Sequence, residues 1–298
     1  MRISPSQGAA ILLLVFMGYV GFRAHSGDPS ARWIASAKAQ IASDAVMQSQ
    51  RIAKLAPSVI RGNMGGLDPL QASQKQLTQD MALLTAGGPY RGRTIPGASS
   101  SEDALIGNAN IMGARSTQAA ASIFAHRSSL VEWHGALKKM NALYPNLLDA
   151  SMQLPVLYAT GAARPVEVVA AFQLEMLTVR LARNANAFLI LDNSDDPETA
   201  FLLSKDIKTF AAFNDGLLNG SAELRLPSAQ NADLRAKLVA LQASFAGYQQ
   251  PVKTILDDLK NLVALKQAER LIAADNEVLK DRLSALQEFY QKAVDESL

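Results

Sequence analysis

No cysteine occurs anywhere in the chain, which excludes disulfides, thiolate metal ligands and cysteine nucleophiles together. Aromatic residues are sparse at 6%, and neither sign of charge dominates: 29 Lys and Arg stand against 27 Asp and Glu, a net charge of +2. That balance creates no field to draw the chain to nucleic acid or an acidic lipid surface. Only three histidines are present, His25, His126 and His134, and none has a partner at the i, i+4 spacing of a helical metal pair. No phosphate-cradling GxxxxGK[ST] run occurs. Ser128, Ser129, Glu132 and His134 have the composition of a catalytic triad but fall on one helical stretch with no oxyanion loop near it. Asp192, Asp195, Asp196 and Glu198 do not have the spacing of a calcium loop and are better used in helix capping. The chain therefore reads as a non-enzyme, with no cofactor and no metal.

What is present is apolar material and a repeat. Apolar residues make up 49% of the 298 and charged residues 19%, enough to build one large domain or two ordinary ones and far from the disordered class. Ile3–Phe22 is free of charge and bracketed by Arg2 and Arg23. At ~1.5 Å per residue those residues make ~30 Å of helix, the thickness of a bilayer core. A cleaved signal peptide is the competing reading, with Ala24-His25-Ser26 as a small-x-small site. That site falls beyond Arg23, which favours an uncleaved anchor over residues 1–24. Either way, the chain that follows is expected outside the cytoplasm.

The repeat begins at Met47–Lys54, MQSQRIAK, which returns at Met176–Arg183 as MLTVRLAR. Met47, Arg51, Ala53 and Lys54 meet Met176, Arg180, Ala182 and Arg183 at a constant offset of 129, with Ile52 replaced by Leu181. Asp68-Pro69 returns as Asp196-Pro197, Leu83-Leu84 as Leu217-Leu218, and Pro96 as Pro227. These later offsets of 128, 134 and 131 drift as small loop insertions would make them drift.

Periodicity makes each copy helical. Ala45, Gln48, Ile52, Leu55 and Val59 step by 3 and 4 through a first helix over 31–62, with Arg51 flanking the seam and Gln50 and Lys54 further out. Asp68 is placed to cap a second, short helix from Pro69 to Leu84, with Gln71 completing a capping box. Pro89–Ser101 reads as loop on its Pro, Gly and Ser content. A long third helix is expected from Glu102 to Thr160. Its seam runs through Leu130, Trp133, Leu137, Met140, Tyr144, Leu147, Ser151, Leu154 and Tyr158, so Pro145 and Pro155 should kink it without ending it. The fourth helix, Val166–Leu191, carries the second copy, on Leu174, Leu177, Leu181, Asn184, Phe188 and Leu191. A fifth runs from Pro197 to Leu218, and a sixth over Ala229–Leu298, bent near Gly247 and Pro251. No alternation of strand period is visible.

Short connections make successive helices antiparallel. The resulting expectation is an all-α fold. Six helices, two of them long, form two four-helix bundles stacked end to end after an N-terminal transmembrane helix. The tandem region spans 31–298, with a first unit at about 31–130, a second at about 166–265, and the long helices shared.

QSQRIAK, its weaker copy MLTVRLAR, the N-terminal anchor and the loop positions together resemble the N-terminal sensor region of PilJ-type chemoreceptors of type IV pili. A more distant likeness is to the periplasmic part of NarX-type nitrate sensors. The resemblance implies a bacterial inner-membrane protein with most of its chain in the periplasm, working as a homodimer. It also implies a pilus subunit or another periplasmic protein as partner, and no nucleic acid. In such receptors a second membrane helix, a HAMP unit and a methyl-accepting signalling rod follow, so the chain is expected to be a receptor fragment or a stand-alone relative. In the nitrate-sensor pattern an arginine five residues before the motif arginine helps to bind the anion. Here Val46 and Glu175 hold those places, so nitrate binding by that mode is not expected.

The candidate contact residues are Gln50, Arg51, Lys54, Arg180 and Arg183. Basic residues flanking a helix seam also pair simply with a neighbouring helix or with water. Two function classes stay open: a receptor input region that relays a signal across the membrane to control twitching motility, and a membrane-tethered helical scaffold with no output of its own.

Overall fold

Helix is what the apolar spacing dictates, and helix is what forms. The computed structural model of the chain describes residues 29–161, 163–190 and 197–296. Eight α-helices occur among them: α1 (Pro29–Ile60), α2 (Leu67–Ala86), α3 (Asp103–Ala125), α4 (Arg127–Thr160), α5 (Pro165–Ile190), α6 (Pro197–Asn219), α7 (Ala232–Asp257) and α8 (Leu259–Glu296). The fold is all-α apart from one small hairpin. No helix among the described residues is long and apolar enough to cross a membrane. The expected anchor, Ile3–Phe22, lies outside them, as do the acidic residues at 192–196.

Eight helices replace the expected six because both long helices break at single residues. His126 leaves the helical region at φ −97° and ψ 24°. Its amide is shared between the carbonyls of Ser122 and Ile123, both at 3.3 Å, and its ring Nδ1 lies 2.7 Å from the Ser122 carbonyl. Asp258 interrupts the last helix at φ −108° and ψ 21°. Neither break needs Gly or Pro, so neither was visible in composition. Pro145, Pro155 and Pro251 all sit inside continuous helix. Asn261 ties the two interruptions together, donating to Asp258 Oδ1 at 2.5 Å and to Ser129 Oγ at 3.4 Å.

Two further expectations are corrected. Asp68 does not cap α2, because a 3₁₀ turn over Met64–Gly66 leads straight into Leu67 and puts Asp68 inside the first helical turn. The loop after α2 contains an antiparallel hairpin of β1 (Gly87–Tyr90) and β2 (Arg93–Pro96), paired from Gly87 with Pro96 to Tyr90 with Arg93. Arg91 and Gly92 form its two-residue turn at φ 46° and 78°, and positive φ at both positions matches the right-handed twist of the strands. Gly87 starts the hairpin at φ 73°, where an added Cβ would lie 2.5 Å from the Ile95 carbonyl oxygen. Only Ile95 of β2 is buried, too little apolar alternation to be read as a strand.

The chain divides into two compact units. Unit 1 takes α1 as far as Ala56, Asp68–Ala121, and the chain from Arg270 onward. Its helices are joined by Thr85–Asn110 between α2 and α3 and by Arg115–Asp275 (3.1 Å) between α3 and α8. Unit 2 takes Pro57–Leu67 and Ser122–Glu269. There α4 packs on α5 and α7, α5 on α6, and α6 on α7, a closed ring of four helices. Asn141 with Asn186, Phe210 with Phe245, Asn214 with Leu238 and Lys237 with Gln153 show antiparallel neighbours around the ring. Trp133, Phe210 and Tyr248 fill its centre with less than 2% exposure each. Each such side chain contributes about 1.5–3 kcal/mol by leaving water.

Candidate functional site

The repeat can be followed into the burial of each side chain. At the offset of 129, Ile41, Ala42, Ala45, Ile52 and Ala56 of α1 are buried, and so are Ala170, Ala171, Leu174, Leu181 and Ala185 of α5. Between them Gln48 and Ser49 are buried where Leu177 and Thr178 are buried. Ser49 and Thr178 both return their hydroxyls to their own helix, Ser49 to the i−3 carbonyl of Val46 at 2.8 Å and Thr178 to the i−4 carbonyl of Leu174 at 2.9 Å. On the outward side Met47 and Met176 stand 48% and 44% exposed. Sequence, register and environment thus repeat together.

The loops after α2 and α6 repeat in backbone terms. Gly87 and Gly220 follow the two helices with φ of 73° and 88°. The hairpin has a reduced counterpart in the Ser221–Leu226 bridge, and Ile95 and Leu226 are the buried plugs. The amide of Ala98 then donates to the Thr85 carbonyl at 2.9 Å, and that of Ala229 to the Leu217 carbonyl at 3.0 Å. Each loop thereby satisfies a carbonyl that the helix end would leave open.

The five candidate residues are divided between the units. Gln50, Arg51 and Lys54 lie on α1 in unit 1, and Arg180 and Arg183 on α5 in unit 2. Arg51, Lys54 and Arg183 are exposed and form no ion pair among the described residues. Gln50 does not point outward: half-buried, it donates to Asn276 Oδ1 of α8 at 3.1 Å. Arg180 pairs with Asp206 of α6 at 2.7 Å, where the Asp206 side chain is only 3% exposed, and Asn184 adds a bond to the other carboxylate oxygen at 3.4 Å. Burial pushes the Asp206 carboxyl above its ordinary value, with the Arg180 charge opposing.

Arg51 lacks such a partner for a reason legible in the repeat. Offsets of 134 and 128 carry Asp206 back to positions between 72 and 78 of α2, and Ala72–Thr78 contains no carboxylate. Met47, Arg51 and Lys54, at steps of 4 and 3, therefore present an apolar and doubly basic stripe to solvent. Such a stripe suits contact with an acidic partner surface.

Unit 1 also holds a buried network that sequence reasoning missed. Lys38 Nζ donates to Glu102 Oε1 at 2.7 Å and to the Gly97 carbonyl at 3.1 Å, and it lies 5.5 Å from the centre of the Tyr290 ring on α8. Glu102 Oε2 accepts from the amide of Ser99 at 2.5 Å and its hydroxyl at 2.6 Å. The Ser99-x-x-Glu102 spacing is a capping-box pattern and was the available sequence signal. At the other edge of the hairpin, Arg93 lies 4.0 Å from the centre of the Trp33 ring.

His126 and His134 serve the backbone, His134 Nε2 lying 3.1 Å from the Ile60 carbonyl. His25 is outside the described residues. Among the described residues no cluster of three or more His, Asp or Glu is placed to hold a metal ion. No protein-family model matches the chain, and no curated protein matches it either.

Proposed function

We propose that this chain is the extracytoplasmic input region of a type IV pilus chemoreceptor, two helical bundles in tandem that relay a periplasmic event to a cytoplasmic output controlling twitching motility. The observation that carries the proposal is the duplicated motif helix. Met47–Lys54 and Met176–Arg183 bury equivalent positions of α1 and α5, one in each unit, with Met47, Met176, Lys54 and Arg183 exposed, while Arg51 is exposed and Arg180 pairs with Asp206. A route for relay accompanies it, since Gln50 of the motif bonds Asn276 on α8, the last helix. In this proposal the protein is a homodimer held in the bacterial inner membrane by residues 1–24. Its exposed Met47–Arg51–Lys54 stripe receives a pilus subunit or another periplasmic protein, and no catalysis is involved.

Deleting the gene tests the proposal. Twitching zones on agar should shrink and be restored by the intact gene, and alkaline phosphatase joined after residue 60 should be active in cells. Normal twitching in the deletion strain would point instead to a tethered scaffold without output. An inactive phosphatase fusion would remove the periplasmic placement.

A further inference from the structure

Surface helices of a bundle turn apolar residues inward and polar residues outward. Three of the four helices of unit 2 do so, exposing Lys138 and Asp149 on α4, Lys205 and Lys208 on α6, and Arg235 and Lys237 on α7. The fourth, α5, does not. From Pro165 to Val179 its exposed residues are Pro165, Val169, Phe172, Met176 and Val179, all apolar. The last four are 56%, 54%, 44% and 46% exposed, while Leu174, Leu177 and Leu181 on the opposite face of the same helix are buried.

Core packing does not require this face, as the repeat makes plain. At the offset of 129, Val169, Phe172, Met176 and Val179 correspond to Gln40, Ser43, Met47 and Gln50 of α1. The first unit thus buries the equivalent inward positions with polar residues at three of those four places. The apolar stripe is an addition particular to α5, and contiguous exposed apolar residues mark a contact surface.

Spacing and charge say what covers it. Val169, Phe172, Met176 and Val179 step by 3, 4 and 3, the alternating a and d positions of a coiled-coil seam. Glu175 and Arg180 then fall at g and e, five residues apart, the spacing at which g of one helix meets e of a parallel partner. In an antiparallel pair g faces g and e faces e, so these two charges would not meet. Arg180 keeps its bond to Asp206 and, at 41% exposure, has guanidinium N–H groups left for a second carboxylate. Arg183 follows at the next a position, where two copies repel and end the seam. We propose that unit 2 pairs with unit 2 of a second copy of this chain through α5, the two helices parallel about a twofold axis. Phe172 and Met176 lie at the centre of the contact, and Glu175 of each copy faces Arg180 of the other. The pairing rests on the homodimer reading above and adds the face to it.

Because the chain has no cysteine, single cysteines test the contact directly. Met176→Cys and Val179→Cys each set like against like in a parallel pair, and Val239→Cys, exposed on α7, is the control. The full chain in intact cells, oxidised with copper phenanthroline, should give adducts of twice its mass from Met176→Cys and Val179→Cys at least fivefold faster than from Val239→Cys. Adding Phe172→Asp to Met176→Cys should remove the fast adduct with an unchanged melting curve, and adding Glu175→Lys should slow it. Control-like rates at both positions, or a Met176→Cys adduct that Phe172→Asp leaves untouched, overturn the proposal. So do adducts only of another mass, which would give the face to a different protein, and preferential crosslinking of Val169→Cys with Val179→Cys in cells making both, the antiparallel outcome. Crosslinking reads proximity and not motility, so failure here leaves the twitching and phosphatase tests of the input-region reading standing on their own.

Discussion

The Arg180 guanidinium meets the Asp206 carboxylate at 2.7 Å and so joins α5 to α6. Arg51, the residue equivalent to Arg180, has no acid at the corresponding place on α2. The same motif residue is therefore part of the framework in unit 2 and free in unit 1.

Arg180→Ala should destabilise the protein by about 1–2 kcal/mol. It leaves the buried Asp206 without its cation, and the 41% exposure of Arg180 itself keeps the loss below that of a fully buried pair. Asp206→Asn should lose less, because it removes the buried charge together with the pair. Urea midpoints of the two variants check the order.

Lys38 and Glu102 form the stronger case, with side chains 4% and 7% exposed. Lys38→Met should cost about 3–5 kcal/mol, because it strands a buried carboxylate. Lys38→Met with Glu102→Leu should recover most of that loss. A double-variant cycle by chemical denaturation measures the coupling.

Two buried carboxyls of unit 1 give opposite dependence on pH. Burial pushes Asp80 from 3.8 up to about 6, the Gln76 hydrogen bond opposing and the Asp44 charge adding. Its favourable contribution is complete below 3.8 and is lost as pH rises through about 6. At about 1.4 kcal/mol per pKa unit, Asp80→Asn should be more stable than wild type by roughly 2–3 kcal/mol at pH 8 and nearly equal at pH 4. For Glu102, burial acts upward but is outweighed by the hydrogen bonds from Lys38 and Ser99, which hold the carboxyl below its ordinary value. Its contribution is complete above 4.5 and is lost as pH falls through the lowered value. Denaturant titrations of wild type, Asp80→Asn and Glu102→Gln from pH 3 to pH 8 resolve both trends.

Glycines in unit 1 divide by backbone conformation. Gly87 has φ 73° with backbone 2.5 Å from an added Cβ, whereas a Cβ on Gly107 in α3 would meet nothing within 4 Å. Gly87→Ala should destabilise by more than ~1 kcal/mol. Gly107→Ala should stabilise by ~0.5–1 kcal/mol. Opposite shifts in melting temperature are the check.

How far the sequence could be read follows from which forces leave a pattern in it. Apolar spacing reports burial directly, so Ile52, Trp133, Met140, Leu154, Leu174 and Leu181 are all in the core as their periodicity required. Leu55 is only half-buried because Ala56, one residue on, takes the inward position. Helix breaks at His126 and Asp258 are local departures of backbone geometry and leave no Gly or Pro to mark them. The hairpin was missed because its Arg91-Gly92 turn is informative only when flanking alternation is present. At the candidate site the motif itself was legible, while Asp206, Asn276 and the Lys38–Glu102 pair were not. Their roles depend on residues 26 to 226 positions apart.

The most direct measurement compares Arg51→Ala with Ile52→Ala in the deletion strain, scoring twitching zones and thermal unfolding together. Arg51→Ala, at an exposed position, should change stability by less than ~0.5 kcal/mol while sharply reducing twitching. Ile52→Ala, fully buried, should cost ~2–5 kcal/mol and reduce twitching only as far as it reduces folded protein. Full twitching with Arg51→Ala at normal expression would contradict a receiving role for the α1 stripe, and destabilisation as large as that of Ile52→Ala would make the arginine structural.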